Sequence, residues 1–263
     1  MKAVARDVRN PALVGLVDRL WWVPQDGEVA PTSERIVPTM RAQIILSARP
    51  GGSVFVGPTT MSADIVRRHD HPTVGVQFHA GASVPFVATS TDEILDLTIN
   101  LDSVWTVGSL AEELAELAAS SALARLEAEL VARVRRDFVD DRVLRAERAI
   151  RSGASPGHVG ELLGVDRRKL VPDFRRVIGV GPKHYERIRR FGRCIEQIRQ
   201  LRPRPLAVIA AELGYSDQAH LTREVKHFSG VTPTNLLGDG SATPNHISLQ
   251  TGSSRPFTIP GAP

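Results

Sequence analysis

The chain has 263 residues, 42% of them hydrophobic and 24% charged, with 21 glycines, 18 prolines and one cysteine. At about 100–200 residues per domain, this length predicts two domains with enough apolar material for packed cores. The lone Cys194 excludes a disulfide scaffold and a cysteine-based zinc cluster. Asp7, Asp18 and Arg19 interrupt the first residues, so a signal-peptide core is not expected, and no apolar run reaches the ~18 residues of a membrane span. A soluble, cytoplasmic chain without a membrane partner is expected.

The net charge of +4 hides a division. Residues 1–141 carry 13 Lys+Arg against 19 Asp+Glu, residues 142–237 carry 19 against 9, and the tail holds Arg255 and Asp239. An acidic front and a back of net +10 point to an anionic partner for the second half.

In chain order, the first ~105 residues predict short strands. VGLVDRLWWV, SERIV, AQIILSA, SVFVG, ADIVRR and TVGVQF are rich in Val, Ile and aromatics and are separated by PQDG, ARPGG and GPTT. Six strands without helical periods between them predict a small antiparallel barrel or sandwich. From Ser109 the period changes: Ser109 and Glu112 form a capping-box pattern, and Leu110, Leu114 and Leu117 recur at helical spacing. Leu123, Leu126, Leu130 and Val134 mark a second helix expected to run to Phe138, and Asp140–Asp141 start a third. These leucines serve either a dimer interface or the core of the first domain. Beyond Gly238 the chain is rich in Gly, Ser, Thr and Pro without periodicity, and disorder is expected there.

The decisive feature is an internal repeat. LGVDRRKLVPDFRRVIGVGP (163–182) aligns with LGYSDQAHLTREVKHFSGVTP (213–233): Gly164 matches Gly214, Leu170 matches Leu221, Phe174 matches Val225, and Pro182 matches Pro233. Each copy follows a short apolar helix, SPGHVGELL with Ser155 as its cap or PLAVIAAEL after Pro205. A short helix, a glycine turn and a second helix with a polar first turn describe a helix-turn-helix. KHYERIRRFGRCIEQIRQL between the copies, with Tyr185, Ile188, Phe191, Ile195 and Ile198 on one face, predicts one connecting helix of ~28 Å. That is close to one DNA turn of ~34 Å, so two recognition helices could enter successive major grooves.

Residues 142–237, above all GVGPKHYERIRRF and GYSDQAHLTREVKHFSGVTP, resemble the DNA-binding domain of the AraC/XylS family of bacterial transcription regulators. The front part, around WWV and GVQFHAGASVPFVATSTDEILD, is similar to a β-rich domain often fused to such regulators. The resemblance implies an α+β multidomain chain: a β-rich, cupin-like barrel or sandwich with helices, then an all-α domain of two helix-turn-helix units joined by a long helix. The corresponding boundaries are 1–107 for sensing or dimerisation, 108–140 as a helical extension, 141–237 for DNA binding and 238–263 as tail.

By position, the resemblance assigns Gln218, Ala219, His220, Thr222 and Arg223 to the base- and backbone-facing places of the second recognition helix and Lys226 to a phosphate. Gln suits adenine and Arg suits guanine in bidentate pairs. In the first unit Arg167, Arg168, Lys169, Arg175 and Arg176 are the candidate contacts, with Val171, Pro172 and Asp173 departing from the family pattern. Pro172 removes a helical hydrogen bond, and Asp173 places a negative charge where a phosphate-binding cation is usual. The second unit is therefore expected to read sequence and the first to hold the backbone. The implied partners are promoter DNA and RNA polymerase, with a small-molecule effector and a second copy of the chain as further expectations.

His69-x-His71 and His79 raise a metal site, but RRHDHP reads as a polar turn and no glutamate follows at cupin spacing, so no metal and no cofactor are expected. Cys194 lacks a companion nucleophile and no GxSxG, Walker or GxGxxG pattern occurs, so an enzyme is not expected. The competing readings are an effector-independent DNA-binding protein with a purely dimerising first domain and a metal-dependent barrel enzyme fused to a DNA-binding module.

Overall fold

The computed structural model describes residues 3–25, 32–67, 70–198 and 204–238. The glycine- and proline-rich tail beyond Gly238 lies outside the described residues. Strands β1 (Val4–Arg6), β2 (Val17–Val23), β4 (Gln43–Ser47), β5 (Val54–Val56), β7 (Thr73–Phe78) and β8 (Thr98–Asn100) form one antiparallel sheet in the order β1-β2-β7-β4-β5-β8. β3 (Thr32–Ile36) and β6 (Ala63–Arg67) form a separate antiparallel ribbon, paired Thr32 to Arg67 and Ile36 to Ala63. All six expected strands are present. β1, β8 and the four-residue helix α1 (Val84–Val87) were not foreseen, being too short to carry a period.

One face of the large sheet presents Leu20, Trp22, Ile44, Leu46, Val74, Val76 and Phe78, following the two-residue alternation of strands. Helices α2 (Leu110–Glu116) and α3 (Ala119–Arg133) cover it with Leu110, Leu114, Leu123, Leu126 and Leu130, all buried in the same cluster. Those leucines therefore close the first domain's core. On the opposite face Trp21, Ile45 and Val56 pack together, and the Trp21 indole lies over Gly75, where a Cβ would come within 2.2 Å of the ring. Glu127 of α3 anchors the start of the chain: its carboxylate accepts the N–H groups of Arg9 and Asn10 at 2.5 and 2.7 Å and pairs with Arg6 at 2.7 Å.

Two local expectations change. Ser109 precedes α2, but its side chain makes no capping hydrogen bond. α3 stops at Arg133, and a 3₁₀ turn, Arg136–Phe138, takes the place of its expected last turn.

From Asp140, which caps α4 (Asp141–Arg151) by accepting the Val143 N–H at 3.2 Å, the chain is helical. It continues through α5 (Val159–Leu163), α6 (Arg167–Ile178), α7 (Pro182–Ile198), α8 (Leu206–Glu212), α9 (Gln218–Ser229) and α10 (Pro233–Gly238). Tyr185, Ile188, Phe191, Cys194, Ile195 and Ile198 form the buried stripe of α7, on which α4, α6, α8 and α9 pack. This second core also takes in Met40 and Ala80 from the first domain, so the two halves share a packed boundary.

Candidate nucleic-acid interface

The two repeats fold alike. In the first, α5 ends at Gly164 in the left-handed conformation (φ +65°), and α6 starts after Asp166, whose carboxylate accepts the Arg168 N–H at 2.8 Å. In the second, Gly214 (φ +74°) follows α8, and Asp217 caps α9 by accepting the His220 N–H at 2.6 Å. That hydrogen bond holds the Asp217 carboxyl below the usual carboxylate range. The paired caps Asp166 and Asp217 were not singled out in the sequence, although an aspartate just before a helix is a recognisable cap signal. The first unit's leading helix is shorter than expected: Ser155 accepts the Gly157 N–H in a turn, and the helix proper starts at Val159.

Leu170, Phe174, Val177 and Ile178 bury one face of α6, while Arg167, Arg168, Lys169, Pro172, Arg175 and Arg176 are exposed. On α9, Leu221, Val225 and Phe228 are buried, while Gln218, Ala219, Arg223, Lys226 and His227 are exposed. His227, on the outward face beside Lys226, was missed as a candidate. At about 3.6 residues per turn, the residue two places after the buried leucine faces away from the core. That residue is Arg223 on α9 and Pro172 on α6. α6 runs through Pro172 without interruption.

His220 and Thr222 are half-buried and engaged within the unit. Thr222 Oγ1 donates to the Gln218 carbonyl at 2.9 Å, and His220 Nδ1 accepts the Ser216 N–H at 3.3 Å with its ring edge-on to Tyr215. With Nδ1 accepting, the neutral ring carries its proton on Nε2. Asp173 is not an isolated negative charge: Arg142 lies 3.7 Å and Arg176 4.0 Å from its carboxylate, and Arg176 also reaches Asp140 at 3.7 Å. Arg176 thus sits at the far end of α6 from Arg167, Arg168 and Lys169, with its guanidinium turned to acidic neighbours.

The second helix of each unit is held from beneath. Phe174 meets Tyr185 edge-on at 5.7 Å, and the Tyr185 hydroxyl donates to Glu147, which also pairs with Arg151 at 3.1 Å. Burial, reinforced by the Glu147 charge, pushes the Tyr185 hydroxyl far above its ordinary range and keeps it a donor. Under α9, Arg187 makes two hydrogen bonds to Glu224, at 3.2 and 2.7 Å, and Phe191 packs on Phe228 at 5.2 Å. Cys194 is fully buried and its thiol is pushed up to about 12 by desolvation, which suits a packing residue and not a nucleophile.

His69 lies outside the described residues, and His79 stands 3.7 Å from Asp18. Among the described residues no group of three or more His, Cys, Asp or Glu is placed to hold a metal ion. Among the same residues no helix is long and apolar enough to cross a membrane.

Residues 159–238 match the family model described as a helix-turn-helix domain. They are an AraC-type helix-turn-helix domain. Residues 10–100 match a domain of unknown function (DUF6597). With its AraC-type domain the chain is a DNA-binding transcription regulator. Among solved structures it is similar to an AraC-type regulator from Chromobacterium violaceum, 20% identical over 37% of this chain and 89% of the other, with a TM-score of 0.35. It is also similar to the C-terminal domain of AraT, a response regulator from Geobacillus stearothermophilus, 22% identical over 41% and 96%, with a TM-score of 0.35. ToxT from Vibrio cholerae is 10% identical over 80% of this chain and 97% of its own, with a TM-score of 0.44. No curated protein matches the chain.

Proposed function

We propose that the regulator grips duplex DNA with α6 and α9 in successive major grooves, α9 reading bases and α6 holding the backbone. The carrying observation is the contrast at the centre of the two outward faces, Arg223 against Pro172. An arginine there offers a bidentate fork to a guanine edge, whereas a proline offers no donor and no charge. Gln218, Ala219, His220 (through Nε2), Thr222 and Arg223 form the proposed reading surface, with Lys226 on a phosphate. Arg167, Arg168, Lys169 and Arg175 supply backbone contacts on α6, and Arg176 is the weakest candidate because Asp140 and Asp173 draw on its charge. The 17 residues of α7 span ~26 Å, a length compatible with neighbouring grooves on one face of the duplex.

The first domain is proposed to modulate this grip, through a small effector or through contacts of its own, and the regulator to act on RNA polymerase in the cytoplasm. A homodimer would have to use a surface other than the leucines of α2 and α3, which lie in the core.

Selection of bound duplexes from a randomised pool by the full chain tests the proposal. The expected product is one well-defined element and, about one helical turn away, a second of weak sequence preference. Enrichment without any common element would overturn base reading, and one isolated element would overturn the two-groove grip.

A further inference from the structure

Each recognition helix ends with carbonyls that lack a partner within the helix. The last turn of α6 finds donors in the first domain: the Thr91 N–H reaches the Arg176 carbonyl at 2.9 Å and the Ser90 hydroxyl lies 3.1 Å from the same oxygen. The last turn of α9 finds another, the Ser62 N–H, 2.8 Å from the Phe228 carbonyl. One domain thus holds the far ends of both recognition helices at once. All these attachments sit at the C-terminal ends, leaving the N-terminal turns that carry Arg167, Arg168, Gln218 and Ala219 free.

The donors come from two separate loops, 57–62 and 88–97, and these loops are tied together. The Gly57 N–H donates to the Leu97 carbonyl and the Asp96 N–H to the Pro58 carbonyl, both at 2.8 Å. The Asp96 carboxylate then accepts the Thr60 N–H and the Thr60 hydroxyl, both at 2.6 Å, one on each oxygen. Asp96 adopts a left-handed backbone (φ +58°), a conformation that Asn and Asp tolerate better than other residues with a side chain. The first loop carries the contact to α9 and the second carries the contact to α6, so Asp96 joins the two.

The other link between the units is α7, which has Gly192 in its interior, where no atom comes within 4 Å of a built Cβ. A glycine there weakens the helix and serves no close approach. The spacing of the units therefore does not rest on a uniformly stiff rod.

We propose that Asp96 is a positioning residue for DNA binding: by clamping Thr60 it makes loops 57–62 and 88–97 into one rigid bracket that fixes the separation of α6 and α9. Loss of the clamp leaves each helix-turn-helix intact and loosens their mutual placement. The consequence for DNA rests on the two-groove grip proposed above, whereas the bracket itself does not.

The test uses the full chain with spin labels on Lys169→Cys and Lys226→Cys, one on each recognition helix, and distance distributions measured by electron double resonance. Buried Cys194 stays in place, since its thiol is out of reach of the label. The parent should give one narrow distance. Thr60→Val, which removes the hydroxyl link, and Asp96→Ala, which removes both, should broaden or shift it. Asp96→Asn, whose Oδ1 can accept the Thr60 N–H while its Nδ2 donates to the Thr60 hydroxyl and which tolerates the positive φ, should leave it narrow. Thr60→Val carries no backbone strain, so it decides the matter if Asp96→Ala fails to fold. Unchanged narrow distances in folded Thr60→Val would overturn the proposal.

A second readout uses a selected duplex with two base pairs inserted between its elements. The parent should lose about tenfold or more in affinity through the lost register, and Thr60→Val about threefold or less. A parent indifferent to the insertion would sink the two-groove grip while the distance measurement still judges the bracket.

Discussion

Arg223 sits at the centre of the outward face of α9, with Gln218 and Ala219 in the turn before it and the Glu224–Arg187 pair fixing the helix from below. A planar guanidinium there can meet the O6 and N7 of guanine together, and a bidentate pair of this kind contributes about 1–3 kcal/mol of discrimination against a wrong base. Arg168 stands in the first turn of α6, exposed and beside the Asp166 cap, where the proposed grip puts a cation against the phosphate backbone. The two residues should therefore fail differently. Arg223→Ala and Gln218→Ala should relax preference at one or two positions of the selected element, at about 1–3 kcal/mol each. Arg168→Ala should weaken all sequences alike and lower the slope of log affinity against log salt by about 1. Binding titrations of the three variants on matched and substituted duplexes over a salt series make the check. If Arg168→Ala shifted base preference more than Arg223→Ala, the roles of the two helices would be reversed.

At the scale of the element, α6 carries a defect that α9 lacks. Pro172 lies six residues into a twelve-residue helix, where it cannot donate to the Arg168 carbonyl, and interior proline costs about 3 kcal/mol against alanine. The helix persists because Leu170, Phe174, Val177 and Ile178 lock it into the second core. Pro172→Ala should raise the thermal midpoint, by a stability gain of about 1–3 kcal/mol, without altering the selected element. Pro172→Arg should add the same gain and also sharpen sequence preference at the weak second element, because it recreates the Arg223 geometry. Calorimetry and repeated duplex selection separate the two effects. The defect was plain in the sequence, as were Gly164, Gly214 and the i, i+4 pairs Leu170/Phe174 and Leu221/Val225, because a helical period and a left-handed turn write themselves into residue types. The distant partner of Asp173 was not: Arg142 lies far away along the chain and meets it only through packing of α4 on α6. The end of α3 at Arg133 was equally hidden, since the apolar pattern continues through Val134 although the helix does not.

At the scale of the molecule, the junction between the halves is where sequence patterns are silent. Its ties include backbone N–H groups of Ser62 and Thr91 on helix-end carbonyls, and such groups are common to nearly every residue. Two histidines lie along this junction. His79 follows β7 beside a pocket of about 150 Å³ whose other walls include Leu144, Glu147 and Arg151 of α4. Burial lowers its pKa below the ordinary 6.5; Asp18 and Glu147 oppose that, and Arg41 and Arg151 reinforce it. His184 on α7 is lowered likewise, by burial first and then by Arg187 and His227, against the pull of Asp96 and Glu224. A histidine with a depressed pKa favours the neutral form in the folded state, while the unfolded chain binds the proton more readily. The stability these residues confer is complete above the unfolded pKa of about 6.5 and is lost as pH falls through the lower folded value. The thermal midpoint of the full chain should therefore drop as pH goes from about 7.5 to 5.5. His79→Gln and His184→Gln should each flatten that dependence, and the double variant should flatten it further. Because Asp96 both raises the pKa of His184 and clamps Thr60, Asp96→Asn should lower that pKa and extend the loss to more acidic pH while leaving the bracket closed. A pH dependence unchanged in the double variant would assign acid sensitivity to groups away from the junction, and melting curves over the pH series decide it.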